Sequence, residues 1–240
     1  MTNKENIVKF YKISGRASVF QKTLSVKSRT QAEGSCVCPV ILNYSELPPF
    51  NSDHRTALHW ACSAGHANIV QFLLDVGAEV DLKDDASWTP LHIAASAGRE
   101  EIVRSLISKG AQLNSVNQNG CTPLHYAASK NQYEIALLLL ENGADPNATD
   151  KLESTPLHRA SAKGNYRLIQ LLLKQSASTN IQDSEGNTAL HLACDEERVE
   201  AAKLLVEHGA SIYIENKEEK TPLQIAKGGL GALLRRIVEG

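Results

Sequence analysis

The sequence predicts an all-α repeat protein, a solenoid of stacked helix-turn-helix units joined by β-hairpin loops. A Thr-x-Leu-His motif, or a close variant of it, recurs six times with a constant spacing of 33 residues. Its threonines are Thr56, Thr89, Thr122, Thr155, Thr188 and Thr221. A fixed period of this length is typical of stacked repeats, which bury their core between neighbouring units and expose a long ridged surface. Such a surface favours protein binding over catalysis.

The second complete repeat shows how each unit is expected to fold. Thr89 is a good N-cap, and the sequence predicts a first helix from about Pro90 to Ala97. Gly98 breaks this helix, and apolar residues at helical spacing predict a second, antiparallel helix over Glu100 to Ser108. Gly110 then provides a left-handed C-terminal cap.

The junctions between repeats carry a second periodic signal. A short polar residue able to bond its own backbone lies five residues before each threonine, which predicts a turn there. These turn residues are Asn51, Asp84, Asn117, Asp150, Asp183 and Asn216.

The motif histidines allow a metal-site hypothesis and a structural one. They are His59, His92, His125, His158 and His191. We reject the metal site, because no two of them lie at the short spacing that zinc sites use. Each imidazole is instead expected to bond its own threonine and the backbone of the next loop, joining adjacent layers. No nucleophile elbow, phosphate loop or other catalytic motif is present, so the sequence predicts neither an enzyme nor a cofactor.

Charge and cysteine content narrow the functional class. Residues 1–50 hold seven basic and three acidic side chains, which leaves 18 basic and 24 acidic in 51–240. The acidic repeats favour a basic protein partner over nucleic acid. No apolar run predicts a membrane span or a signal peptide. The five cysteines are an odd number without zinc-type spacing, which fits the cytoplasm or nucleus, and Cys62 and Cys194 are interpreted as small buried spacers.

The motif resembles the ankyrin signature. This resemblance implies that the junction turns project as fingers beside a palm formed by the first helices. The expected binding positions are then those one, three and four residues before the threonine and seven and eight residues after it.

Irregular positions carry a closer resemblance. Trp60 follows the first motif histidine, and Trp88 occupies a finger position where we expect an exposed indole. Together with the strings from His59 to His66, Asn117 to Asn131, Leu192 to Arg198 and Ile212 to Leu223, they make residues 53–240 similar to the gankyrin-like proteins, ankyrin-repeat assembly chaperones of the proteasome regulatory particle. The resemblance implies that the concave face of a monomer binds the C-terminal domain of one proteasomal ATPase subunit.

Finger and palm positions supply candidate contacts for such a partner. Trp60 and Trp88 are candidate aromatic anchors. Charged residues at both ends of the repeat array, and between the ends, suit a partner surface of alternating charge. Each of them could equally be an ordinary solvated surface residue. The candidate residues are Asp53, Arg55, Trp60, Asp85, Trp88, Lys130, Asp195 and Glu196.

An alternative function follows from Leu192, Cys194 and Glu196, which match the Leu-x-Cys-x-Glu pattern for docking on the retinoblastoma protein. The resemblance also implies links to a cyclin-dependent kinase and to a p53 ubiquitin ligase, that is, to a cell-cycle regulator promoting degradation of tumour suppressors. Repeat register places Leu192 and Cys194 towards the core, so we favour a framework role for the motif.

The chain divides into an atypical segment, residues 1–50, and a repeat domain, residues 51–240. The expected repeats are 51–83, 84–116, 117–149, 150–182 and 183–215, followed by a C-terminal cap, 216–240. Residues 1–50 match neither the repeat nor the family. We expect a partly ordered helix near Asn6 to Tyr11, followed by disorder to about Leu47.

Overall fold

A computed structural model describes residues 54–239, so the expectations for residues 1–50 and for Asp53 lie outside the described part of the chain. Residues 54–239 contain twelve helices and no strand. The inner helices are α1 (Ala57–Ala64), α3 (Pro90–Ser96), α5 (Pro123–Ser129), α7 (Pro156–Lys163), α9 (Ala189–Asp195) and α11 (Pro222–Ile225). The outer helices are α2 (Ala67–Asp75), α4 (Glu100–Ser108), α6 (Tyr133–Glu141), α8 (Tyr166–Lys174), α10 (Val199–Glu207) and α12 (Leu230–Glu239).

The helices stack in two layers, with each inner helix packed on the next inner helix and on the outer helix of its own repeat. The motif leucines form a row in the core between layers, and each is at most 1% exposed: Leu58, Leu91, Leu124, Leu157 and Leu190. Leu230 and Leu234 of α12 are also buried. The core is therefore a continuous strip built from the same position of successive repeats, as the period predicts.

Each inner helix begins at its motif threonine. The threonine backbone is extended, and the imidazole Nδ1 three residues later accepts a hydrogen bond from the threonine N–H at 3.0 to 3.2 Å in all five histidine-containing repeats. The first turn of a helix leaves backbone donors without partners, and this contact satisfies one of them. In the last repeat Gln224 Oε1 makes the same contact with the N–H of Thr221, at 2.7 Å.

The other ring nitrogen of each histidine joins one repeat to the next. Nε2 lies 2.9 to 3.1 Å from a carbonyl oxygen 29 residues further along the chain. Those carbonyls belong to Trp88, Cys121, Ser154, Asn187 and Lys220. Because Nδ1 accepts, Nε2 must carry the proton and donate it, which makes the ring neutral. The predicted bonding of the histidines to threonine and loop backbone is confirmed.

Two further rows of hydrogen bonds fix the layers. On the outer side, a side-chain oxygen of Asp81, Asn114, Asn147 or Asn180 accepts from a backbone N–H 31 residues later, at 2.8 to 3.0 Å. At the junction turns, the N–H of Gln118, Lys151, Ser184 and Lys217 donates to a carbonyl of the preceding turn, at 2.8 to 3.0 Å. Successive turns are thus bonded directly to one another without forming a strand within residues 54–239.

Burial lowers the pKa of all five motif histidines, in the case of His92 to about 4. A ring protonated at Nδ1 would direct an N–H at the threonine N–H and lose the cap. The unfolded chain, whose histidines have ordinary pKa values near 6.5, therefore binds more protons than the folded chain between about pH 6.5 and pH 4.

We therefore expect stability that is fully present above pH 6.5 and lost as the pH falls towards 4. At about 1.4 kcal/mol per pKa unit, His92 alone contributes a loss of about 3 kcal/mol. Urea unfolding at several pH values in this window measures it. His92→Gln, which keeps the acceptor as Gln224 does, should be less stable at pH 7 but less sensitive to acid. A free energy of unfolding that is constant from pH 7 to pH 4.5 would contradict the assignment.

Ser161 is a weak point in the core of α7. Its Oγ is the one buried side-chain nitrogen or oxygen without a hydrogen-bond partner among residues 54–239, and the residue is fully buried. The equivalent positions hold Cys62, Ala95, Ala128 and Cys194, none of which brings a hydroxyl into this space. A buried hydroxyl without a partner costs about 1–3 kcal/mol of desolvation.

Ser161→Ala should therefore raise the free energy of unfolding by about 1 kcal/mol, because it removes this group and leaves the packing of its equivalents. Denaturant titration measures the change. Ser63→Ala, at an exposed position of α1, is the control and should alter stability by less than about 0.5 kcal/mol. A destabilised Ser161→Ala variant would show that the hydroxyl is satisfied.

Candidate functional site

Loop tips and inner helices form the candidate binding surface. We define a loop tip as the four residues that precede a motif threonine, and the groove as the surface between the loop tips and the inner helices. Within residues 54–239 the groove contains two open concavities, of about 510 and 590 Å³. The turn and inter-loop hydrogen bonds described above hold the tips at fixed positions, so the groove is preformed.

The N-terminal end of the groove carries three of the predicted contact residues. Arg55 is half-buried, and its Nε donates to Oδ2 of the buried Asp84 at 3.0 Å. The same guanidinium lies 5.9 Å from the centre of the Trp60 ring, which is 37% exposed. Asp85 is exposed and accepts from His54 Nδ1 at 2.6 Å. Trp60 therefore offers an open aromatic face, whereas the charge of Arg55 is already partly neutralised.

Trp88 departs from its prediction. The expected exposed indole is half-buried and packs against the core, with its ring centre 4.4 Å from that of Tyr126 and 5.9 Å from that of His92. Tyr126, on the next inner helix, covers the indole. This contact joins two repeats, so the position of Trp88 within its own repeat does not predict it. Trp88 therefore has a structural role in joining the second and third repeats.

The remaining predicted contact residues are exposed, in two separate places. Lys130 is the residue after α5, where its positive charge suits the end of a helix. Asp195 ends α9 and Glu196 follows it. Their carboxylates each lie 3.5 Å from a cation, Lys227 for Asp195 and Arg198 for Glu196, and both pairs are open to solvent. Such exposed pairs contribute little to stability, so these charges remain available to a partner.

The centre of the groove holds a polar cluster that sequence reasoning missed. Arg159 of α7 forms an ion pair with Asp150, whose side chain is 1% exposed, and the adjacent concavity of about 510 Å³ is also lined by Tyr126, Cys121 and Lys151. Burial alone would raise the pKa of Asp150, but hydrogen bonds from Arg159 and from two backbone N–H groups hold it below its usual value. The available signal was an aspartate in the turn position with an arginine nine residues later.

The Leu-x-Cys-x-Glu motif lies on α9 and the residue after it. Cys194 is fully buried, and burial raises the pKa of its thiol to about 12. Leu192 is only half-buried and lines the second concavity, and Glu196 is exposed. The core-facing prediction is thus confirmed for Cys194 and wrong for Leu192, because the groove opens beside it. Binding of the motif in an extended conformation would require α9 to unfold.

Comparison with known families decides the classification. The family described as "Ankyrin repeats (3 copies)" matches residues 77–150 and 157–233, "Ankyrin repeats (many copies)" matches 130–173, and "Ankyrin repeat" matches 53–85. The chain belongs to the ankyrin-repeat family. Its repeats form a protein-binding scaffold.

Similar curated ankyrin-repeat proteins match over short segments. The 26S proteasome non-ATPase regulatory subunit 10 of Rattus norvegicus is 70% identical over 40 residues, 17% of this chain and 17% of that protein. The Homo sapiens protein of the same name is 72% identical over 40 residues, 17% of this chain and 18% of that protein. An ankyrin repeat-containing protein of Schizosaccharomyces pombe is 47% identical over 47 residues, 19% and 20% of the two chains. Each alignment thus spans about a fifth or less of the relative's length.

Two features are absent from residues 54–239. Within residues 54–239 no group of three or more His, Cys, Asp or Glu side chains is arranged to hold a metal ion. In the same part of the chain, no helix has the length and apolar character needed to cross a membrane.

The two tryptophans should respond differently to truncation. Trp88→Ala removes the contacts with Tyr126 and His92 and should lower the free energy of unfolding by about 2–3 kcal/mol. Trp60→Ala removes an exposed ring and should change it by less than about 1 kcal/mol. Parallel urea titrations measure both variants. Equal losses would mean that Trp60 is as deeply packed as Trp88.

Proposed function

We propose that the groove binds the C-terminal domain of a proteasomal ATPase subunit and holds it during assembly of the regulatory particle. The observation that carries this proposal is the identity of 70% and 72%, each over 40 residues, to two proteins named 26S proteasome non-ATPase regulatory subunit 10. The preformed groove supports it, because a rigid surface loses little conformational entropy on binding.

Chemistry along the groove is consistent with such a partner. Trp60 is an exposed aromatic side chain near one end, and Asp195 and Glu196 are exposed carboxylates near the other. Aromatic anchors often carry a large share of interface energy, whereas exposed charges mainly set orientation and association rate. Trp60 should thus contribute most to affinity. The same proposal places the protein in the cytoplasm and nucleus.

The alternative, a cell-cycle regulator that docks on the retinoblastoma protein through Leu192, Cys194 and Glu196, receives less support. The buried Cys194 thiol could reach a partner only after α9 unfolds. A cyclin-dependent kinase and a p53 ubiquitin ligase stay candidate partners of the same chain.

Calorimetric titration of the full chain with the isolated ATPase C-terminal domain tests the proposal. We expect one-to-one binding that Trp60→Ala weakens about tenfold, or about 1.4 kcal/mol, because the exposed ring occupies the repeat position of Tyr126, Arg159 and Leu192, which line the groove. Tyr213→Ala is a matched control, since this aromatic residue is 62% exposed and occupies the repeat position of Asn180, on the outer side of the array. No binding by the folded chain, or equal weakening by both variants, would refute the proposal.

A further inference from the structure

In the five described junction turns, the side chain of the first turn residue makes the same hydrogen bonds. In Asp84, Asn117, Asp150, Asp183 and Asn216, Oδ1 accepts from the backbone N–H groups two and four residues later, at 2.8 to 3.1 Å. This bonding defines the turn. The second polar atom of each side chain, Oδ2 or Nδ2, is not needed for the turn and is free to bond elsewhere.

In four of the five turns that second atom has a partner within the chain. Oδ2 of Asp84 accepts from Arg55 at 3.0 Å, and Oδ2 of Asp150 accepts from Arg159. Both aspartate side chains are only 1% exposed beside these guanidinium groups. In the amide-bearing turns, Nδ2 of Asn117 donates to the Tyr126 hydroxyl at 2.7 Å, and Nδ2 of Asn216 donates to Oδ1 of Asn187 at 2.8 Å.

Asp183 is the exception. No hydrogen bond or ion pair from residues 54–239 reaches its Oδ2, and the residue is half-buried where Asp84 and Asp150 are buried. The position that Arg159 occupies in the preceding repeat is held here by Leu192, which cannot donate. The position equivalent to Arg55 is held by Ser154, which donates no hydrogen bond to Oδ2. The turn thus has the same carboxylate as its two counterparts and lacks their arginine.

We propose that Asp183 and Leu192 form a seat for an arginine side chain of the protein partner. The incoming guanidinium would take the place that Arg159 takes on Asp150 one repeat earlier, and its methylene groups would lie on the half-exposed Leu192. The inference rests on the proposed role of the groove in binding a protein, and it specifies the chemistry at one point of that contact.

No cation of the neighbouring repeat forms an ion pair with Asp183 within residues 54–239. Leu192 also lines the neighbouring concavity of about 590 Å³, whose lining includes Glu185, Asp195, Lys217 and Lys227 but not Asp183. The Lys227 ammonium lies 3.5 Å from the Asp195 carboxylate, and Lys220 is paired with Glu218 at 2.7 Å. These cations therefore leave Asp183 unpaired. Arginine suits the seat better than lysine, because a planar guanidinium can bond a carboxylate and stack its face on a neighbouring side chain.

The seat can be tested without any partner protein. The ¹⁵N-labelled full chain is titrated with N-acetyl-L-arginine amide, and separately with the neutral analogue N-acetyl-L-citrulline amide at matched ionic strength. We expect arginine amide alone to shift the amide resonances of Glu185 and Asn187, which donate to Asp183, with a Kd on the order of 10 mM. Equal shifts with citrulline amide, or none at these residues, would overturn the proposal.

Two variants separate the seat from the stability of the turn. Asp183→Asn removes the charge and keeps the turn, since asparagine occupies this position at Asn117 and Asn216. Leu192→Arg supplies an arginine from the chain itself, in the position of Arg159. Both should abolish the arginine-amide shifts while retaining the native far-ultraviolet circular dichroism. Retention of the shifts in folded Asp183→Asn would contradict the seat.

The partner experiment then connects the seat to the proposed function. Asp183→Asn should weaken binding of the ATPase C-terminal domain about tenfold, whereas Glu207→Gln, a matched charge removal at the end of α10, should leave it unchanged. Unchanged affinity in Asp183→Asn would remove the seat from that interface and leave the proposed function intact. Failure of the wild-type chain to bind the domain would refute the proposed function alone, because the arginine-amide titration does not depend on it.

Discussion

The neutral histidine that connects one repeat to the next is the interaction on which the rest of the structure depends. Each ring accepts from its own threonine through Nδ1 and donates to the following loop through Nε2. One side chain thus begins an inner helix and also fixes the distance to the next layer. Burial keeps the ring neutral, and neutrality is what permits both contacts. The loop tips, and therefore the groove, are held in place by this repeated contact.

The 33-residue period of the sequence predicts most of the fold but only part of the candidate site. Spacing predicted the helix starts, the junction turns and the histidine contacts, because these depend on short-range geometry repeated every 33 residues. Trp88 was misjudged because Tyr126, on another repeat, covers it. Asp150 was predicted as a turn residue, but its pairing with Arg159 was missed, because the pair is visible only when the turn and the helix are placed side by side. Residues 1–53 lie outside the described part of the chain, so the predictions made for them stand as predictions.

The groove combines charges that are already neutralised with charges that are not. Asp84 and Asp150 are buried beside arginines of the same chain, so these pairs contribute to the shape of the loops and leave little charge for a partner. Asp195 and Glu196 lie in open pairs at 3.5 Å, which a partner could replace at small cost. Sorting the charged residues by their internal partners therefore separates those that hold the loops in shape from those whose charge stays open to solvent.

The hydrogen bonds between repeats also constrain how the length of the chain can vary. The three rows join residues 29, 31 and 32 positions apart, and each crosses the boundary between two repeats. One residue inserted between an inner helix and the following loop tip would change these separations, so it must be accommodated as a bulge if the hydrogen bonds are to be kept. Insertion or removal of a complete unit of 33 residues preserves every one of these distances. A whole repeat is therefore the unit by which the array can change length with all three rows intact, and such a change would lengthen or shorten its groove by one loop tip and one inner helix.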